Sequence, residues 1–322
     1  ATVNKDFNMC NYLSPSLLTL LSSLLFAAVF FLASPLRADD ILLSDPDINP
    51  TPLLPSLDLR PNFDKWHLTP RVQGSRDTCS VFVITCALEY ALADQTGSTP
   101  RLSVEFLNWA SNQAIGISRD GAFFHDLYTG YQKFGICPEA DLPYQNKFDP
   151  GLQPPQTTLD SAQKILQQNF KFLWIKDWNR NTGLTDDQFL KIKQILNRSR
   201  PVCGGFRWPK QEAWQDNVLQ MAPPEGVFDG HSVLLVGYQD DPAQPGGGLF
   251  LFRNTNYGGR DGYMSYEYAR AYMNDAVWID YPKNDPPKNN TSLSPSLAEI
   301  LGPLGFFPQG RNRRVSSNQQ PE

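Results

Sequence analysis

The sequence predicts an α+β fold of two lobes, the first helical and the second built on an antiparallel sheet or barrel-like wall. Three observations carry this expectation. Residues 79–92, CSVFVITCALEYAL, are apolar on nearly every helical face, which suits a helix buried at the centre of a lobe. After Pro201 the pattern turns to short strand-like runs, PVCGGFRW, HSVLLVGY, GLFLFRN, GYMSYEY and DAVWID, punctuated by Gly, Pro, Asn and Asp. The chain has 322 residues, 41% apolar and 12% aromatic, enough to bury the core of one large domain or two lobes.

The other elements follow from local pattern. Residues 102–113 and 121–134 have helical spacing. Thr185 opens TDDQ, a capping box, ahead of Phe189, Ile192, Ile195 and Leu196 at three- and four-residue intervals. The helical lobe is expected over residues 71–149 and the sheet-rich lobe over 151–280. Composition narrows the function. With 28 Lys+Arg against 33 Asp+Glu the net charge is −5, so no basic footprint for nucleic acid is expected. Charged residues make up 19%, while Pro (27) and Gly (22) are frequent, which favours a loop-rich enzyme over a bundle or coiled coil. Five Cys are too few for a disulfide scaffold of this size.

The ends have their own character. Residues 17–32, LLTLLSSLLFAAVFFL, carry no charge and are followed by SPLRADD. This reads as an export signal over residues 1–38, cut after Ala38, and so as a secreted or periplasmic protein; an uncleaved membrane anchor is the alternative. Residues 39–56 are acidic and carry Pro46, Pro50, Pro52 and Pro55, an extended linker too short to bury a core. The folded domain is expected over residues 57–281, with a poorly ordered tail over 282–322.

Only three histidines exist, His67, His125 and His231. His231 opens an apolar strand directly after Asp229 and Gly230, where a loop enters the sheet, a position open either to a cleft or to solvent. His67 in a polar loop and His125 beside Phe123 and Phe124 read as solvated or structural. Cys79 ends a polar turn and starts the apolar helix, so unpaired backbone N–H groups and the positive end of the helix dipole favour its thiolate. Cys86, two turns on among Val83, Ile84, Ala87 and Leu88, reads as core. Cys137 and Cys203 read as core or as a disulfide pair. No CxxC or HxxxH occurs, so neither metal nor cofactor is expected.

At these residues a family resemblance becomes specific. The run LDLRPNFDKWHLTPRVQGSRDTCSVF resembles the mature start of papain-like (C1 family) cysteine peptidases. LSVEFLNWA, FGICPEADLPY, DGHSVLLVGY and LFLFRNTNYGGRDGYMSYEY resemble four further family segments, in the family's order. The resemblance spans about residues 57–280 and is nearer to bacterial members. It implies the papain-like two-lobed fold with an active-site cleft between the lobes. It assigns Cys79 as nucleophile, His231 as base, Asn254 as the residue orienting the imidazole, Gln73 as the oxyanion-hole side chain and Gly121 as the backbone that binds extended substrate. The intervals from Cys79 to His231 and Asn254 run a little beyond the roughly 130–150 residues usual for such sites; the Pro- and Gly-rich DDPAQPGGG is a candidate insertion. The implied activity is endopeptidase hydrolysis of polypeptide substrates through an acyl-enzyme. Three features depart from the family: Ser80 replaces the Trp after the nucleophile, Arg76 stands where most relatives place a disulfide Cys, and Thr255, Asn256 and Tyr257 follow Asn254 in place of Ser-Trp. The ring that covers the Asn and His pair is therefore lost or supplied by Tyr257. Two alternatives share the site: a catalytically inactive homologue that binds peptides or proteins, and an amidase or transpeptidase on cell-wall peptides.

Overall fold

The computed structural model describes residues 52–256 and 258–282. The expected signal, residues 39–51 of the linker, Tyr257 and the tail from residue 283 lie outside the described residues. Along the chain run β1 (Ser56–Asp58), α1 (Arg60–Lys65), α2 (Cys79–Thr96), α3 (Val104–Ile115), α4 (Phe124–Phe134), α5 (Gln156–Leu166), β2 (Lys171–Lys176), α6 (Asp186–Asn197), β3 (Val202–Pro209), β4 (Trp214–Gln215), β5 (Val218–Leu219), β6 (Val227–Asp240), β7 (Gly248–Asn254), β8 (Arg260–Ser265), α7 (Tyr266–Tyr272) and β9 (Met273–Asp280).

Helix α2 is buried on all sides, from Cys79 through Ala93 with the exception of Cys86, and ends at Gly97, whose φ of 84° supplies the left-handed cap. An amphipathic helix would sit on a surface. This one runs through the middle, packing on α3 and α4 in front and on β3, β6 and β9 behind. Ser103 caps α3 by accepting from the Phe106 N–H. The capping box at Thr185 forms with both bonds present, Gln188 N–H to Thr185 Oγ1 at 3.2 Å and Thr185 N–H to Gln188 Oε1 at 3.1 Å.

The described strands form one sheet in the order β2-β9-β3-β6-β7-β8-β5-β4, with β1 also pairing with β6. All pairs are antiparallel except β5 with β8. Strand β6 is the spine. Its first half pairs with β3, its second half with β1, and its other edge with β7. Because β6 and β7 are neighbours, His231 and Asn254 are brought together although a hairpin separates them.

Three expectations change. The segment SYEY, expected to continue a strand, turns into α7: Ser265 Oγ accepts the Tyr268 N–H at 3.0 Å and starts a helix that buries Tyr266, Tyr268, Ala269 and Tyr272. The helical lobe extends past residue 149, because α5 packs on α4 and inserts Ala162 beside Phe106 and Trp109. Residues 52–56 of the expected linker are extended but held to the sheet: Asp240 N–H donates to the Pro55 carbonyl at 2.8 Å and Tyr238 Oη to the Leu54 carbonyl at 2.9 Å.

Candidate active site

Cys79 is the first residue of α2 and 7% exposed, with its Sγ 3.8 Å from the Gly230 carbonyl. The positive-φ Gly230 lets β6 bend just before His231. Cys79 and His231 line one cleft of about 370 Å³, together with Gly121 and Ala122 from the helical lobe and Gly205, Asn274 and Asp275 from the sheet. The buried His231 presents Nε2 to Asn254 Oδ1 at 2.9 Å. That leaves Nδ1 as the ring nitrogen available to the thiol. The same Asn254 oxygen accepts the Asn256 N–H at 3.1 Å, so the second asparagine fastens the first through its backbone.

Gln73 is buried and tied to the residue after Asn254: Thr255 Oγ1 donates to Gln73 Oε1 at 2.6 Å, and Gln73 N–H to the Thr255 carbonyl at 3.1 Å. Its Nε2 donates to the Arg76 carbonyl at 2.8 Å. The turn that leads into Cys79 is thereby closed on itself and on the end of β7. Gly121 has φ of 74°, lines the cleft, and its N–H donates to Asn108 Oδ1 at 2.9 Å. Ser80, where the family has Trp, donates to the Ala122 carbonyl at 2.6 Å and holds the wall of the cleft to α2.

Arg76 is the hub of the first lobe. Its guanidinium bonds Glu105 at 2.5 Å, Asp120 at 2.9 Å and the Gln145 carbonyl at 2.8 Å, and lies over the Tyr144 ring. Four segments meet there: the turn before Cys79, α3, the loop carrying Gly121, and the chain after Tyr144. Cys79, Cys86, Cys137 and Cys203 are all free, so Cys137 and Cys203 do not pair; the first lies with Phe106 and Trp109, the second in the main core.

The electrostatics run against one expectation. The helix terminus favours a thiolate, yet burial pushes the Cys79 thiol up, with hydrogen bonds from Ser232 and the Ser80 backbone drawing it partly back. Burial pushes the His231 imidazole down, opposed by the bond to Asn254 and the charge of Glu212. Burial also pushes Cys86 up to about 11 and Cys137 to about 12. At the cleft floor the Asp275 carboxyl is raised by burial to about 7. A Cβ on Gly205 would stand 1.9 Å from Asp275 Oδ1, so only glycine leaves room for that carboxylate.

Sequence reasoning missed the ring beside the imidazole. It is Trp208 of β3, 4.6 Å from the His231 ring at 63°, and 2% exposed. A strand tryptophan reads as core, and here it is core and site at once; the two tryptophans flanking an acid in WPKQEAW were the available signal. Tyr257, the expected source of such a ring, lies outside the described residues. His67 is exposed in its loop, and His125 stacks on Trp174 at 4.2 Å and is not itself among the residues lining the cleft. Among the described residues no group of His, Cys, Asp and Glu is placed to hold a metal ion, and no helix is long and apolar enough to cross a membrane.

No protein-family model matches the chain, and no curated protein matches it in sequence. Solved structures do. Xylellain, a cysteine protease from Xylella fastidiosa, is similar with a TM-score of 0.55 and 23% identity, over 72% of this chain and 88% of that one. The procathepsin B S9 of Trypanosoma congolense gives 0.51 and 16% identity, over 73% and 80%. The cysteine protease and lectin-like domains of Cwp84, a surface layer associated protein of Clostridium difficile, give 0.50 and 18%, over 73% and 54%. The fold is therefore the papain-like, C1-type fold: α+β, with helices packed against a large sheet.

Proposed function

We propose that the protein is a cysteine peptidase that cleaves polypeptides through Cys79, His231 and Asn254. The observation that carries this reading is the 2.9 Å bond from His231 to Asn254 in a cleft whose opposite wall is a cysteine at a helix N-terminus. Burial favours the neutral thiol and the neutral imidazole separately, so neither ionises well alone. Moving the proton from Cys79 to His231 creates a thiolate and an imidazolium that stabilise each other, and the helix dipole adds to the thiolate side. The thiolate attacks the scissile carbonyl, His231 returns the proton to the leaving amine, and water activated by His231 frees the acyl group. Asn254, being neutral, fixes the ring without holding a proton. The oxyanion is met by the Cys79 N–H and by Gln73, whose amide is pre-set by Thr255 and Arg76; losing one such donor costs on the order of 100- to 1000-fold in rate. The Gly121 carbonyl receives the extended substrate. The apolar run read as an export signal supports an activity outside the cytoplasm.

Incubation with an epoxysuccinyl peptide tests the reading. Mass spectrometry is expected to find one label, on Cys79, and cleavage of a mixed peptide library that the label abolishes. A folded protein that takes no label and cuts no peptide would instead be the inactive binding homologue.

A further inference from the structure

The chain that leaves β3 places a carboxylate between two indoles. Trp208 Nε1 donates to Glu212 Oε1 at 2.6 Å and Trp214 Nε1 to Glu212 Oε2 at 2.9 Å. Both oxygens are thus met by neutral donors, which orient the carboxylate. Trp208 is wedged in place, with Phe252 at 5.8 Å and Tyr268 at 6.2 Å, while Trp214 lies beside Phe252 and under Arg260 at 4.9 Å. The hairpin of β4 and β5 that carries Trp214 turns through Asp216 and Asn217, both at positive φ, and joins the sheet through β8. The bracket is therefore anchored in the sheet at both ends, and its inner ring is the one that meets His231.

We propose that Glu212 is a positioning residue for His231: it locks the Trp208 ring against the imidazole and sets a fixed negative charge one indole away, favouring the imidazolium that the thiol needs. The assignment rests on His231 being the base of the proposed peptidase. Asn254 fixes one edge of the imidazole through Nε2, and Trp208 limits its tilt, so two contacts from two strands define the plane of the ring. The groups facing it are Cys79 from α2, Asn254 from β7, Trp208 from β3 and Glu212 beyond it, while the acids Asp77, Asp120 and Asp275 and the bases Arg119 and Arg180 line the same cleft. Burial works against imidazolium, and the Glu212 charge works for it. A bracket that served only for packing would do as well with a neutral residue.

The chain's three histidines make the test direct, since His67 and His125, both exposed, serve as internal controls in an NMR titration of the full protein. Glu212→Gln removes the charge and keeps the size. The His231 midpoint is expected to fall by about half a pH unit or more, with His67 and His125 unmoved, and the alkaline limb of Cys79 alkylation to move down with it. A folded Glu212→Gln protein with an unmoved His231 overturns the assignment. Should that variant not fold, Glu212→Asp, which keeps the charge but draws it back by one methylene, is expected to lower the His231 midpoint by a smaller amount, and no movement there is equally fatal. Failure of the underlying peptidase reading has its own signature, a wild-type protein that takes no epoxysuccinyl label whatever His231 does on titration.

Discussion

Asn254 and Asn256 lie two residues apart, and only the first touches the imidazole; the second holds it by a backbone bond. Asn254→Ala is therefore expected to lower kcat/KM on the order of 100-fold, within the range of a general acid–base contribution, whereas Cys79→Ala removes all turnover because nothing replaces the sulfur. Asn256→Ala should be nearly silent; the reverse order of effects in a peptide assay would move the orienting role to the other asparagine. Asp275 gives a second prediction. Its carboxyl titrates near 3.8 in the unfolded chain and at about 7 in the fold, so the native state holds the extra proton. The stability that proton provides is complete below about pH 4 and is lost as pH rises to about 7. Asp275→Asn, which cannot ionise, should melt increasingly above wild type across that window, by up to about 4 kcal/mol at the top. A difference that stays constant with pH would refute the buried proton. At this scale the segments carrying Cys79, His231, Asn254, Gln73 and Gly121 were legible through their resemblance to family segments; Cys79, His231 and Gly121 line one cleft, Asn254 bonds His231, and Gln73 bonds the residue after Asn254. Trp208 was not read as a site residue, because its partner imidazole belongs to another strand and a strand tryptophan between Arg207 and Pro209 announces burial first.

Among the elements, α2 and α6 could be read directly, the first from its unbroken apolar run and the second from its capping box. Strand β2 could not, since KFLWIK is too short and too uniformly apolar to separate strand from helix, and a bulge between Trp174 and Lys176 breaks its alternation. Helix α7 was misread for the opposite reason: its tyrosines favour strands, and a cap at Ser265 with a helical burial pattern outweighed that preference. The loop that enters α4 shows what an element demands of one residue. Gly121 has φ of 74°, and a Cβ there would stand 2.0 Å from the Asp77 carbonyl, two residues before Cys79. Gly121→Ala is expected to cost roughly 1–3 kcal/mol and to lower activity further than the stability loss explains, because the turn presenting Cys79 must move. Thermal melts and turnover measured together decide it, and a variant indistinguishable from wild type in both would show that the loop yields freely.

For the molecule as a whole, the change from helical to strand-like patterning was legible as an α+β fold, but the interlocking of helices and sheet was invisible. Residues 52–58 return to the sheet far from where they start in sequence, and α5 crosses back to the helical side; both depend on contacts between distant segments that no local pattern encodes. The join between the turn before Cys79 and its surroundings is likewise ionic, made by Arg76 with Glu105 and Asp120. Arg76→Ala would strand the buried Glu105 without a partner and is expected to cost roughly 3–5 kcal/mol. The four described cysteines are free, so the melting temperature should be the same with and without dithiothreitol while Cys79 alkylation depends on it. A melting point that drops on reduction would reveal a covalent tie. A thiol nucleophile works only while it is reduced, and the agents that keep it so dissolve the bridges on which many exported proteins rely. With its first lobe fastened at Arg76 by ion pairs and its described cysteines free, the chain leaves the redox state of Cys79 separate from the integrity of the scaffold that aims it.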